Sequence, residues 1–380
     1  MSTSKYVIIG AGLAGAATAW HLAAQGHEVT VLERTVPANR WGSSHGSARI
    51  FRYAYPDAFY THLVSEAKKG WEELELRSAT SLLTPSGALD FGLRHDTAGL
   101  ARILAHEGVP HELLPESEAH ERWPQFSFDS EVLWHAGAAV IDAESAVRAM
   151  VDLAVDYGAE LHSDWEVTAV TRQGSGYRIS SATGESVHAD HIVVAAGAYL
   201  PDLLSALPLS AAFRGRMPQF SIMQEQAFHF AYRDEFADPT PHEHYAWPAF
   251  IHQTDWIHTY GLPGGRDADF NGQKIAQFNG GKLLRSAVDQ DGVVNDANRA
   301  LMVEYVRKHL PGLVPEPYAE TTCLFTNTPT EDFFMDSEDN ITVLSPCSGH
   351  GAKFAPEIGR MTTEFITGAA ALDSHFRLVS

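Results

Sequence analysis

Residues 5–34, KYVIIGAGLAGAATAWHLAAQGHEVTVLER, restrict the possible fold more than any other stretch. The apolar run Tyr6 to Ile9 suits a short strand buried on both faces. Gly10, Gly12 and Gly15 follow at the spacing G-x-G-x-x-G. A helix is expected over 13–24, closed by Gly26, and a second strand over 28–33, ending in Glu33. The first glycine permits a tight turn, the second lets backbone approach a pyrophosphate, and the third lets helix and strand lie close. Unpaired N–H groups at the helix start suit phosphates. Glu33 is placed to accept hydrogen bonds from ribose hydroxyls and would repel a 2′-phosphate. A glycine-rich turn in a plain α/β domain is the alternative, but strand, spacing, helix and acid together favour a dinucleotide.

The motif occurs once, so a second site for a nicotinamide is not expected. The stretch DHIVVAAGAYLPDLL, from Asp190, reads as an apolar strand over 192–195 running into Ala196-Gly197-Ala198. Read alone it is a buried strand and a turn. Beside the first motif it favours FAD, and a flavin without a nicotinamide partner must draw electrons from the substrate itself.

At 380 residues the chain exceeds one compact core, so two packed domains are expected. Its 44% hydrophobic and 20% charged residues are those of an ordinary globular protein. A formal net charge of −21 argues against nucleic acid and anionic lipid as partners. Cys323 and Cys347 make no disulfide framework, and a cytoplasmic location fits them best. The apolar start lacks a basic leader and is broken by glycines, unlike a signal peptide. No apolar run reaches the roughly 20 residues a membrane helix needs.

Helices are expected over 57–76, 98–107 (capped by Asp96) and 143–157 (preceded by Asp142), and a small antiparallel meander over 167–190. Residues 213–278 are crowded with aromatics and histidines and lack helical periodicity, which suggests an antiparallel sheet. Helices over 296–309 and 355–367 follow.

Two windows run against the acidic balance. From Arg34 to Pro56 there is no Asp or Glu, yet Arg34, Arg40, Arg49 and Arg52 fall there. Between Asp339 and Glu357, NITVLSPCSGHGAKFAP has no acid and one cation, Lys353. A lone arginine pair usually solvates a loop. Two such windows, one directly after the ribose-binding strand, suit an anionic ligand instead, because arginine grips carboxylate through a planar two-bond fork.

The stretches GSSHGSARIFRYAY (from Gly42), RWP (from Arg122), TTCLFTNTPTEDFFMD (from Thr321) and SGHGAKF (from Ser348) resemble the monomeric sarcosine oxidase and N-methyltryptophan oxidase family of flavin-dependent amine oxidases. The resemblance extends from the N-terminus to about Gly368. It implies an α/β fold: a Rossmann-like FAD-binding domain (1–82, 145–212 and 322–380) interleaved with an α+β substrate domain built on an antiparallel sheet (83–144 and 213–321). It implies oxidation of a secondary, N-methyl or cyclic, α-amino acid to an imine by hydride transfer to the flavin. O2 then takes the electrons as H2O2. Arg52 and Lys353 would grip the substrate carboxylate. His45 and Arg49 would lie against the flavin ring, and Cys323 would carry FAD as an 8α-S-thioether, with an inert buried thiol as the alternative. Lys274 would promote reaction with oxygen, and Tyr260 matches an active-site tyrosine. Gly10, Gly12, Gly15, Glu33, Arg34, Ser43, Gly349, His350 and Gly351 complete the cofactor set, and a monomer is implied.

The chain departs from the family in places. Phe278 stands where a histidine is frequent, which suggests a more apolar wall and a substrate other than sarcosine. The loop 263–272 is of uncertain length, which leaves Lys282 as a second candidate for Lys274. Cys347 is read as packing. His242-Glu-His244 could supply two metal ligands, but no further cluster accompanies them, so no metal is expected. An oxidase or dehydrogenase of a primary amino acid or other carboxylate, and a non-catalytic flavin-carrying subunit, remain as alternatives.

Overall fold

The computed structural model describes residues 3–237 and 245–377. The strand Thr3–Ile9, the helix Leu13–Ala24 and the strand Val29–Leu32 form the expected opening unit. Around them lies a parallel core with Glu160–His162 outside Val29–Leu32, and Ser186–Val194 then Ile341–Ser345 on the other side of Thr3–Ile9. Because strand side chains alternate, Ile8, Val31, Val193 and Leu344 pack beneath the helices Leu13–Ala24, Ala58–Ser78, Ala143–Asp156 and Ala355–Thr367. Val7, Ile9, Ile192 and Val343 face the meander Val167–Gln173, Gly176–Ser181 on the opposite side. The third meander strand and the expected strand over 192–195 are one continuous element, Ser186–Val194. It pairs antiparallel at its start and parallel to its end.

A nine-stranded sheet forms the second layer system. It is antiparallel except at one junction, where Ala249–Gln253 runs parallel to Ala88–Phe91. Within 213–278 the first strand starts at Ser221; residues 213–216, expected as part of the sheet, belong to the helix Ala211–Arg216. One face carries Phe228, Phe230, Phe250 and Ile275, packed under Met302, Tyr305 and Val306 of the helix Asp296–His309. The strand Leu313–Asn327 pairs along Ser221–Tyr232 and runs unbroken through the expected domain boundary at 321/322. A small sheet of Arg49–Phe51, Leu83–Pro85 and Ala139–Ile141 fixes the arginine-rich segment between the two systems. Among the described residues no helix is long and apolar enough to cross a membrane.

Candidate active site

The glycines act as their spacing suggests. Gly10 has φ +103°, and a Cβ there would lie 2.5 Å from the Ala195 carbonyl oxygen. A Cβ on Gly15 would come within 1.9 Å of the Gly10 carbonyl oxygen, so this glycine seats the helix on its strand. Gly12 caps the helix start with no side-chain hydrogen bond of its own. Glu33, at the end of the next strand, accepts from Ala11 N (2.8 Å) and Thr35 N (3.0 Å), which fixes its carboxylate beside the turn. The Arg34 guanidinium lies 3.9 Å from the Tyr199 ring centroid.

This turn opens on a cavity of about 1350 Å³ that extends to the inner face of the second sheet, above the roughly 300–1,000 Å³ of ordinary ligand pockets. Of the residues singled out in the sequence, Gly10, Gly12, Glu33, Arg34, Ser43, Arg49, Arg52, Tyr260, Lys274, Cys323, Gly349, His350, Gly351 and Lys353 line it. Gly15 and His45 do not. Gly15 supports the turn from behind. His45 gives its carbonyl to Arg49 Nη2 at 2.8 Å, and burial, Arg49 and Lys274 bring its ring down to about 4.

Strand alternation explains the far wall. Ala227, Ile251, Gln253, His258, Tyr260, Leu262 and Lys274 all face the cavity, opposite the face that packs on the helix. Lys274 is 7% exposed. Its Nζ reaches the Ala48 carbonyl at 3.5 Å, and Arg49 Nη1 donates to the same oxygen at 2.9 Å. Burial, then Arg49, lower Lys274 to about 8. Lys282, the second candidate, is exposed and paired with Asp291. Cys323 faces Glu225 in the strand register. Burial pushes the Cys323 thiol up, outweighing Arg49 and Lys274, which pull it down.

Arg52 and Lys353 are 301 positions apart in sequence yet meet at one ring. The Arg52 guanidinium lies 5.0 Å from the Tyr55 centroid. Lys353 Nζ donates to Tyr55 Oη at 2.9 Å and to the His350 carbonyl at 2.7 Å. Tyr55 Oη lies 3.1 Å from His350 Nδ1, and His350 Nε2 lies 3.0 Å from the Glu331 carbonyl. Burial, then Lys353, bring His350 down to about 3, so it is neutral with Nε2 protonated and Nδ1 accepting. Burial, then Arg52, place Lys353 well below its ordinary value.

Several groups escaped the sequence reading: Asp90, His95, His258, Gln253 and Glu225. His258 lines the cavity two residues before Tyr260, and alternation would have found it. The wall is consequently less apolar than Phe278 alone suggested. Among the described residues no cluster of three metal-binding side chains gathers; His242 and His244 lie outside them.

A glycine turn between parallel strands, opening on a large cavity with cations at its far wall, defines a dinucleotide-binding oxidoreductase. The comparisons agree. The chain belongs to the DAO family of FAD dependent oxidoreductases, whose model matches residues 5–365. It is 30% identical to monomeric sarcosine oxidase of Streptomyces avermitilis, over 97% of this chain and 95% of that one. It is 31% identical to peroxisomal sarcosine oxidase of Mus musculus, over 94% and 90%. The solved structure of NikD, described as an unusual amino acid oxidase essential for nikkomycin biosynthesis, shares the fold. Its TM-score is 0.85 at 24% identity, covering 100% of this chain and 98% of that one.

Proposed function

We propose that the chain oxidises a secondary α-amino acid, N-methylated or cyclic, to the imine, with FAD as redox cofactor and O2 as final acceptor giving H2O2. The observation that carries this reading is the convergence of Arg52 and Lys353 on Tyr55, in the same cavity as the glycine turn. The relatives named sarcosine oxidase support the choice of a secondary amine.

The cradle fits FAD: Gly10 and Gly15 sit where a side chain would collide with backbone, and Gly12 leaves the helix start open. Gly10, Gly12, Glu33, Arg34 and Ser43 would hold its nucleotide half, with Gly15 supporting the turn from behind. Gly349, His350 and Gly351 would bound its ring, with His45 and Arg49 behind. FAD supplies the two-electron chemistry once bound. Arg52 and Lys353 bind the substrate carboxylate and so fix the amine, a positioning effect worth several kcal/mol in general. Tyr260 closes the wall over it. Lys274 and Arg49, anchored on Ala48, supply positive charge where oxygen is reduced, which is electrostatic preorganisation. Cys323 is the candidate for a covalent thioether to FAD. We place the enzyme in the cytoplasm as a monomer, its cofactor half drawn from 1–82, 145–212 and 322–380.

Peroxide release across a panel of N-methyl, cyclic and primary amino acids tests the reading. Activity confined to primary amino acids or hydroxy acids would replace it. An enzyme whose flavin no amine bleaches without oxygen would be a flavin-carrying subunit instead.

A further inference from the structure

Asp90 interrupts an apolar strand. Ala88–Phe91 reads Ala-Leu-Asp-Phe with all four residues buried, and Asp90 has no exposed surface. A carboxylate so placed needs partners. Oδ1 lies 3.5 Å from Arg52 Nη1 and 2.9 Å from His95 Nε2, while Oδ2 is buried with no hydrogen bond. Burial alone would raise its pKa; Arg52 and His95 outweigh it and hold the carboxyl below the usual range. Arg52 and His95 therefore favour the anionic form of Asp90.

Arg52 Nη1 also donates to the Ala54 carbonyl. Its Nε and Nη2, the edge a carboxylate takes side-on, have no protein partner among the described residues. Asp90 thus acts on a bound anion in two opposed ways. It steadies the guanidinium, and it claims part of the positive charge that a carboxylate on the other edge would take. The steadying is redundant, since the Ala54 carbonyl and the Tyr55 ring already hold Arg52. The competition is not, because two anions on one half-buried guanidinium share a single positive charge that solvent only partly screens. The 3.5 Å separation exceeds the roughly 2.7–2.9 Å of a strong charge-assisted hydrogen bond, so the pair can yield.

We propose that Asp90 is an internal rival for the substrate's carboxylate, acting through Arg52 to weaken substrate and product binding and so set the site's affinity for α-amino acids. The product imino acid keeps that carboxylate, so the same weakening hastens its release. The inference rests on the reading that Arg52 receives the carboxylate.

The test uses full-length, flavin-loaded enzyme and acetate as probe, titrated by the change in flavin absorbance. Asp90→Asn should lower the acetate Kd and the KM of the oxidised amino acid about tenfold, and leave KM for the decarboxylated amine unchanged. A loss of structure would raise these constants, not lower them. In the background Arg52→Met, adding Asp90→Asn should change nothing. An unchanged or higher acetate Kd in Asp90→Asn, or a tightening that persists without Arg52, overturns the proposal. If Arg52→Met alone leaves acetate binding intact, the carboxylate-grip reading fails and the inference falls with it. If Arg52→Met weakens acetate but Asp90→Asn does not tighten it, the inference alone fails. Asp90→Ser, which leaves room for water on Nη1, replaces Asp90→Asn if the latter does not fold. Failure of both to fold would show that Asp90 serves stability and overturn the proposal.

Discussion

In the proposed reaction Lys274 is the residue whose charge acts most directly, and that charge is conditional. Its pKa of about 8 means that it is a cation below that pH and neutral above it. Reoxidation of the reduced enzyme by oxygen should therefore slow as pH rises through about 8. Lys274→Met should remove that limb and cost on the order of 10²–10³ in rate, the usual penalty for deleting a fixed electrostatic group. Stopped-flow mixing with oxygen reads both, and a flat wild-type profile from about pH 6.5 to 9.5 would falsify the role. Glu225 makes the opposite kind of prediction. It is 2% exposed, and burial raises its pKa from 4.5 to about 7. The folded chain thus binds this proton more tightly than the unfolded chain. Its contribution to stability is full below about pH 4.5 and declines as pH rises to about 7, a change of at most ~3 kcal/mol. Glu225→Gln should flatten that slope, as urea unfolding at pH 5 and pH 7.5 would show.

At the scale of elements, the cofactor layer depends on how closely the first helix can lie against its neighbours. A Cβ on Gly359 of the final helix would come within 2.5 Å of Ala17 backbone in the first. This crossing is closed by absent side chains, much as Gly15 closes the helix on its strand. Gly359→Val should force the helices apart and destabilise the protein by about 1–3 kcal/mol, the range of overpacked sites. Gly15→Val should do the same and weaken FAD retention too, because it moves the turn itself. Thermal unfolding and flavin content on gel filtration separate the two outcomes: a Gly15→Val protein with full flavin would contradict the role given to the turn. These elements were largely legible in advance. The helices Leu13–Ala24, Asp296–His309 and Ala355–Thr367 match their expected spans, since caps, glycine stops and apolar periodicity are local signals. The helix at 211–216 was missed because six residues give no period to read.

For the whole molecule, the cavity is walled by both sheet systems, so its ligand should stabilise both. Cys323→Ser should leave FAD removable by acid or denaturant, whereas wild-type flavin should remain with the precipitated protein. Free flavin in the wild-type supernatant would exclude the thioether. The stripped Cys323→Ser chain should melt roughly 5 °C or more below its reloaded form, in line with the few kcal/mol a tight ligand contributes.

What the sequence determined by itself is what short-range chemistry controls: the glycine turn with its strand and helix, the run of caps, the acid-free windows and therefore the cations that line the cavity. The tertiary structure alone decided which long-range partners those windows met. Asp90 reaches Arg52 across an intervening 37 residues, and Cys323 is screened by burial that no neighbour in sequence reports. Charge can be counted along a chain, but its effect depends on solvent exclusion and on distance, and both are set only when the two sheets close around the site.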